Sequence, residues 1–364
     1  MSPESSAAAP AATPAPAPAA LPVTWADAAR GQAFDTWLAG IAAGHGLIPA
    51  SLRLASADAS ARRYFRIDGT AGRSFILMDA PPPLEDVRPF VHVAGLIQAA
   101  GLHAPRVLEQ DAATGFLLLD DLGDRLYLAA LQSAEPAEAD RLMRDALQAL
   151  VQWQLKVDGS SLPPYDEALL RRELQLFPDW CVQREFGLTW TDKQQAAWDQ
   201  VSQRLIDSAL AQPRVAVHRD WMPRNLMIGT PNPGLLDFQD AVSGPITYDL
   251  ASLLRDAFHS WEEEQELDWA IRWWQQAQQA GLPVDADFGE FWRQLEWMGL
   301  QRHLKILGIF CRLKHRDGKA AYSRDLPRFF RYATHVANRY APLRPLLSLL
   351  EPLSGQAVQA GYTF

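Results

Sequence analysis

Asp220, Asn225 and Asp237 are the residues whose types and order could carry a reaction. They fall within residues 215–254, VAVHRDWMPRNLMIGTPNPGLLDFQDAVSGPITYDLASLL. Transfer of a phosphoryl group asks little covalent chemistry of a protein. It needs a carboxylate that takes the proton of the attacking hydroxyl, and hard oxygen ligands that hold magnesium against nucleotide phosphates. Asp220 suits the first role, and Asn225 with Asp237 the second.

Those side chains need elements that bring them together. Val215-Ala216-Val217 reads as a short buried strand, and Pro223 stops a helix from running through the loop that follows. Leu226-Met227-Ile228 and Leu235-Leu236 read as the two arms of a hairpin around Thr230-Pro231-Asn232-Pro233-Gly234. The return arm would deliver Asp237 beside Asn225. His218 is expected to hold the turn by hydrogen bonding. Arg219 is open between a contact to phosphate or substrate and a solvated charge.

The wording of this stretch resembles a known family. His218-x-Asp220-x-x-Pro223-x-Asn225 is similar to the catalytic loop shared by protein kinases and the aminoglycoside phosphotransferase superfamily. Asp237-Phe238-Gln239-Asp240 departs from Asp-Phe-Gly toward the small-molecule branch, as does Tyr248-Asp249-Leu250-Ala251 after Gly244-Pro245. The full wording looks closer still to the bacterial amino-sugar anomeric kinases of cell-wall recycling. The resemblance implies an α+β, protein-kinase-like bilobal fold, with an antiparallel β-sheet N-lobe and a mainly helical C-lobe. It implies ATP and Mg2+ as cofactors, and a small amino sugar, N-acetylmuramate or N-acetylglucosamine, phosphorylated at its anomeric hydroxyl. It also implies that Asp249 braces the catalytic loop. Other acceptors of the superfamily (an aminoglycoside, choline or homoserine) and a pseudokinase binding module are the competing readings.

The first third of the chain reads as the nucleotide-covering lobe. A helix is expected from Trp25 to Gly46, then strands at 52–54, 62–67 and 74–78, a helix at 88–100, and strands at 106–108 and 115–119. The small-residue loop before Arg62, including Ser60 and Ala61, would let backbone N–H groups approach phosphate oxygens. Protein kinases place a lysine on the third strand, but no lysine precedes Lys156 here, and Met78 or Asp79 stands instead. Arg62 and Arg66, on one face of their strand, are the candidate replacements, unless they are solvated strand charges. Asp120-Asp121-Leu122-Gly123-Asp124 resembles the family's hinge, where backbone groups around Asp120 and Leu122 would meet the adenine edge. An ordinary acidic turn is the alternative. The expected divisions are a tail at 1–22, an N-lobe at 23–119, a hinge at 120–124 and a C-lobe at 125–364.

In the C-lobe, helices are expected at 138–156, 166–187, 191–210, 246–260, 262–280, 287–316 and 323–341. The chain has 13 tryptophans. Aromatics at helical spacing are mostly core, but Trp221, next to Asp220, is the one expected to meet the sugar. Arg224 and Arg255, near the motif, are candidates for the carboxylate of N-acetylmuramate.

Composition bounds the rest. The 364 residues are 48% apolar, enough for a large core, and the net charge is -9 with no basic run. Nucleic-acid binding and anionic-membrane binding are disfavoured. Two cysteines, Cys181 and Cys311, make no disulfide framework and suit a reducing cytoplasm. Residues 1–20 hold nine Ala and five Pro and read as a disordered tail.

Overall fold

The computed structural model describes residues 23–57 and 61–354. The Ala/Pro-rich tail and Ser60 lie outside the described residues. The chain forms two compact units. One is the chain up to Val87 together with Leu108–Asp121, and the other is Arg88–Val107 with the chain from Leu122 onward.

The first unit opens with α1 (Ala28–His45). The Asp27 carboxylate accepts the N–H of Ala29 at its start, and Gly46 ends it in the left-handed region, at φ 63°. The helix begins later than expected because Trp25 packs its ring against Phe34 and Phe65, at 5.0 and 5.7 Å. Five strands follow: β1 (Arg53–Ala57), β2 (Arg63–Asp68), β3 (Ser74–Asp79), β4 (Val107–Asp111) and β5 (Phe116–Asp120). They form one sheet in the order β1-β2-β3-β5-β4. The neighbours β1/β2, β2/β3 and β3/β5 are antiparallel. Alternate residues share a face of a strand, so Phe65 and Ile67, Phe75 and Leu77, and Phe116 and Leu118 all meet Phe34 and Leu38 of α1. Each such side chain contributes about 1.5–3 kcal/mol by leaving water. Asp79 stands at the end of β3 and is 1% exposed. Arg30 and Arg63 each donate twice to its carboxylate, at 2.6–3.1 Å.

The second unit begins with α2 (Arg88–Ala99). Its apolar face packs within that unit. The Phe90 ring lies 4.6 Å from that of Phe238. Just past the helix, the Ala100 carbonyl accepts from Gln152, and the His103 carbonyl accepts from the Leu235 N–H, both at 2.7 Å.

The remaining elements are α3 (Tyr127–Ser133), α4 (Pro136–Lys156), α5 (Glu167–Leu176), α6 (Asp192–Leu210), β6 (Arg214–Val217), β7 (Leu226–Met227), β8 (Gly234–Leu235), β9 (Val242–Pro245), α7 (Tyr248–Leu254), α8 (Glu263–Ala280), α9 (Phe288–Asp317), α10 (Leu326–Arg339) and α11 (Leu347–Ser354). β6 pairs with β9 and β7 with β8, both antiparallel.

Three departures from the sequence pattern have local causes. The helix expected over 166–187 is α5 followed by π-helical turns at Phe177–Glu185, since Pro178 supplies no N–H to continue an α-helical ladder. α7 stops at Leu254 because the Asp256 carboxylate accepts the N–H groups of Phe258 and His259, both at 3.0 Å, and turns the chain. Residues Ala320–Asp325 are a 3-10 turn, so α10 begins at Leu326. α3, β9 and α11 carried no clear periodic signal. The 30-residue α9 runs through the unit. It approaches the end of α5 so closely that a Cβ on Gly308 would lie 2.3 Å from the Leu176 carbonyl carbon. Cys181 and Cys311 are buried free thiols.

Candidate active site

β6 is buried from Val215 to Val217 and feeds directly into His218. The turn that follows is held from behind. The Asp249 carboxylate, 0% exposed and in the first turn of α7, accepts the His218 N–H at 2.7 Å and the Arg219 N–H at 2.9 Å. These two bonds tie the His218-Arg219 backbone to α7. Burial pushes its carboxyl up to about 7, against the pull of the two amide donors. With those amides held, Arg219 sits at φ 76°, a conformation a non-glycine residue adopts only under outside restraint.

His218 is wholly buried, and its ring lies edge-on to Trp153, Trp221 and Phe238. Burial lowers its pKa to about 4, so the ring is neutral at neutral pH. Its Nδ1 accepts the Asp220 N–H at 3.3 Å, which suits the tautomer protonated at Nε2. The His218 ring is thus packed among aromatic rings and bonded to the backbone two residues on.

Asp220 then starts a tight turn. Its carbonyl accepts the Met222 N–H at 2.9 Å and the Asn225 Nδ2–H at 3.0 Å. Pro223 opens a 3-10 turn, Pro223–Asn225, rather than only blocking a helix. A proline is well suited to a first helical position, where no N–H is required. Since Asn225 uses its amide nitrogen on the Asp220 carbonyl, its amide oxygen is the atom left to act as a ligand. The hairpin does the rest. Leu226 pairs with Leu235 and Met227 with Gly234. The Leu236 N–H donates to the Asn225 carbonyl at 2.9 Å, which sets Asp237 beside that strand end. Asp237 has φ 62°, and its Oδ1 accepts from Gln239 Nε2 at 2.8 Å. Phe238, fully buried between His218 and Phe90, fixes which way the next residues leave. Asp220, Asn225 and Asp237 thus belong to one bonded loop-and-hairpin frame. Asn225 and Asp237 offer only hard oxygens, the donor type magnesium prefers.

Other expectations need correction. Trp221 is 0% exposed, with its ring 5.5 Å from that of His218, so it is core and offers no face to a sugar. Arg255 is 4% exposed and bonded to Glu266 and Glu296, both at 3.1 Å, so it is committed to internal charges. Arg219 is no solvated charge: it donates to Glu173 of α5. Arg224 lies half-buried over the Phe258 ring, 4.9 Å from its centroid.

In the first unit, Ala61 is exposed. Arg62 donates to Glu85 at 2.8 Å. Arg66 presents Nε and Nη2 to Asp121 at 2.6 and 3.0 Å. Neither arginine is a solvated strand charge. Asp120 closes β5 opposite Phe75. The chain passes from the first unit to the second at Asp121/Leu122.

Sequence reasoning missed Glu173, Gln239 and Lys305. Glu173 is buried, and although burial raises its pKa, Lys305 and Arg219 hold its carboxyl down at about 2. No local pattern marks it, because Arg219 is 46 residues away in the chain.

A family model described as a phosphotransferase enzyme family matches residues 51–292. The chain is 54% identical over 313 residues to the N-acetylmuramate/N-acetylglucosamine kinase of Pseudomonas putida, covering 86% of this chain and 91% of that protein. It is 47% identical to the protein of the same name from Neisseria meningitidis, over 86% of this chain and 94% of that one. Among solved structures, an ADP-bound aminoglycoside phosphotransferase superimposes with a TM-score of 0.58 at 13% identity, over 84% of this chain and 98% of the other. Choline kinase from Cryptosporidium parvum gives 0.57 at 11%, over 87% and 99%. These structural likenesses establish the fold, which is protein-kinase-like. The matched domain and the extent of identity together make this chain a member of that phosphotransferase family.

Proposed function

We propose that this chain is an ATP-dependent sugar kinase. It transfers the γ-phosphoryl group of ATP to the anomeric hydroxyl of N-acetylmuramate and N-acetylglucosamine, giving the sugar 1-phosphate for peptidoglycan recycling. The observation that carries the reading is the frame in which Asp249 holds the His218-Arg219 backbone while the Asp220 carbonyl holds Asn225. The relatives' shared name directs it to amino sugars.

Asp220 accepts the proton of the acceptor hydroxyl as the oxygen bonds to the γ-phosphorus. The bond from that phosphorus to the β,γ-bridging oxygen breaks, and ADP leaves with its electron pair. An anomeric hydroxyl is more acidic than an ordinary alcohol, so a carboxylate is base enough. Asn225 Oδ1 and the Asp237 carboxylate would hold Mg2+, which when bound neutralises charge on the phosphate oxygens. Gln239 steadies the Asp237 carboxylate for that task. Arg62, next to the small-residue loop and held by Glu85, is the proposed stand-in for the missing lysine. Backbone groups at Asp120 and Leu122 are assigned the adenine edge. Arg224 is assigned the carboxylate of N-acetylmuramate.

Phosphorus NMR on reactions with ATP and either sugar tests this. The expected product carries phosphate on the anomeric carbon. Transfer only to an aminoglycoside, choline or homoserine would move the protein to another branch, and tight nucleotide binding without turnover on any acceptor would make it a binding module.

A further inference from the structure

One partly buried cation is unused by the mechanism above. Lys305, on α9, lies where α5, α7 and α9 converge, against Glu173 and Tyr248. Its ammonium is 2.9 Å from Glu173 Oε1 and donates to the Tyr248 hydroxyl at 3.1 Å. The same Glu173 oxygen accepts the guanidinium of Arg219, the residue next to Asp220. The other Glu173 oxygen accepts from the Tyr165 hydroxyl. Two full positive charges therefore share one oxygen of one carboxylate. Glu173 needs only one cation to be paired, and adding a second costs desolvation and like-charge repulsion without improving a purely structural pair. Asp220, next to Arg219 in the chain, is a further carboxylate whose charge acts on this ammonium. Burial disfavours the ammonium, yet Glu173, Tyr248 and Asp220 together raise its pKa, so it stays charged. An ammonium has three N–H donors, and two are accounted for. The side chain is 13% exposed, so the third is not sealed in the core.

We infer that Lys305 is a contact residue for the acceptor, donating its remaining N–H to an oxygen of the sugar that Asp220 deprotonates. The inference rests on the proposed function. It extends that reading by assigning an acceptor contact on α9, distant in sequence from the catalytic loop. A polyhydroxylated acceptor is the chemical class that suits a charged donor at a half-open position. The nucleotide is not expected to touch it.

Steady-state kinetics of Lys305→Met, with both sugars and with ATP, test the assignment. Loss of a charge-assisted hydrogen bond to the acceptor predicts an acceptor KM about 10- to 100-fold higher. The KM for ATP stays within about threefold, because the variant leaves the metal-holding oxygens in place. Lys305→Arg, which keeps the charge and donors, recovers most of the loss. An unchanged acceptor KM overturns the inference, and so does an ATP KM that rises in step with it, the mark of a loop that has merely collapsed.

A second measurement uses the unaltered protein and covers the case of a variant that does not fold. The chain has five lysines, at 156, 193, 305, 314 and 319. Amine-directed acylation read by peptide mass spectrometry should show the sugar slowing modification of Lys305 alone, with the other lysines as internal controls. No protection by saturating sugar overturns the inference. An unaltered enzyme that phosphorylates neither sugar sinks the proposed function itself. An enzyme that phosphorylates both, while Lys305→Met keeps its acceptor KM, sinks only this assignment.

Discussion

Replacing Asp249 by Asn probes the brace that aims the catalytic loop. Each Asp249 oxygen now accepts one backbone N–H, at 2.7 and 2.9 Å, in a site with no solvent exposure. In the Asp249→Asn variant one of those oxygens becomes an NH2 facing another N–H. One bond to a charged acceptor is lost, at about 1.5–3 kcal/mol, and one buried N–H is left unpaired, at about 1–3 kcal/mol. Relief from burying a charge offsets part of this, so a net loss of about 2–4 kcal/mol is expected, or roughly 3–5 °C in Tm for a chain of 364 residues.

The kinetic effect follows from geometry. Asp220 sits one residue beyond the freed amides, and misplacing a reacting group by an ångström costs about 100-fold in rate. The assays are a thermal melt, kcat with either sugar, and nucleotide affinity, which is expected to stay within a few fold. A variant with wild-type Tm and kcat within about threefold of wild type would refute the argument that two amide bonds hold the loop.

The pH dependence of the same pair has a definite sign. Folding raises the Asp249 pKa from 3.8 to about 7, so the folded chain keeps a proton that the unfolded chain has lost across that window. The stability this group contributes is fully present below about pH 4 and is lost as pH rises through about 7. The gap corresponds to about 4 kcal/mol at most. The stability difference between wild type and Asp249→Asn should therefore shrink as pH is raised from 4 to 7, as urea midpoints would show, and a difference that grows would reverse the assignment. Arg255→Met should lower stability by about 3–5 kcal/mol, because Glu266 and Glu296 are left short of a buried cation, with the acceptor KM unchanged. A selective rise in acceptor KM would restore Arg255 to the sugar site. Gly308→Ala should cost about 1–3 kcal/mol in denaturant unfolding, since its Cβ would meet the Leu176 backbone and α9 must shift. An unchanged midpoint would mean that this helix contact yields without cost.

The catalytic frame is legible in sequence because its parts are local. Two apolar arms around Thr230-Pro231-Asn232-Pro233-Gly234 make a hairpin wherever they occur, and that hairpin alone brings residue 237 beside residue 225. The strand alternation of β2, β3 and β5 likewise announces one buried face. Burial of individual residues near the motif is not legible. Trp221 follows Asp220 in sequence, but its ring packs on His218, and nothing in the local wording distinguishes the two directions. Arg255 looks like a spare cation until Glu296, 41 residues on, is seen to hold it. Glu173 and Lys305 sit on helices whose charged positions read as solvent-facing, and only their convergence through tertiary packing reveals the cluster. The partner of α2 is hidden in the same way, because its apolar face is evident in sequence and Phe238 as its neighbour is not.

The most direct test of the central claim compares Asp220→Asn with Asp237→Asn for nucleotide affinity, with and without Mg2+, and for turnover. The account predicts that Asp220→Asn binds Mg-nucleotide nearly as wild type does but transfers no phosphate. Asp237→Asn should lose the metal-dependent part of nucleotide binding. Near-normal turnover by Asp220→Asn, or metal-dependent affinity untouched in Asp237→Asn, would contradict it.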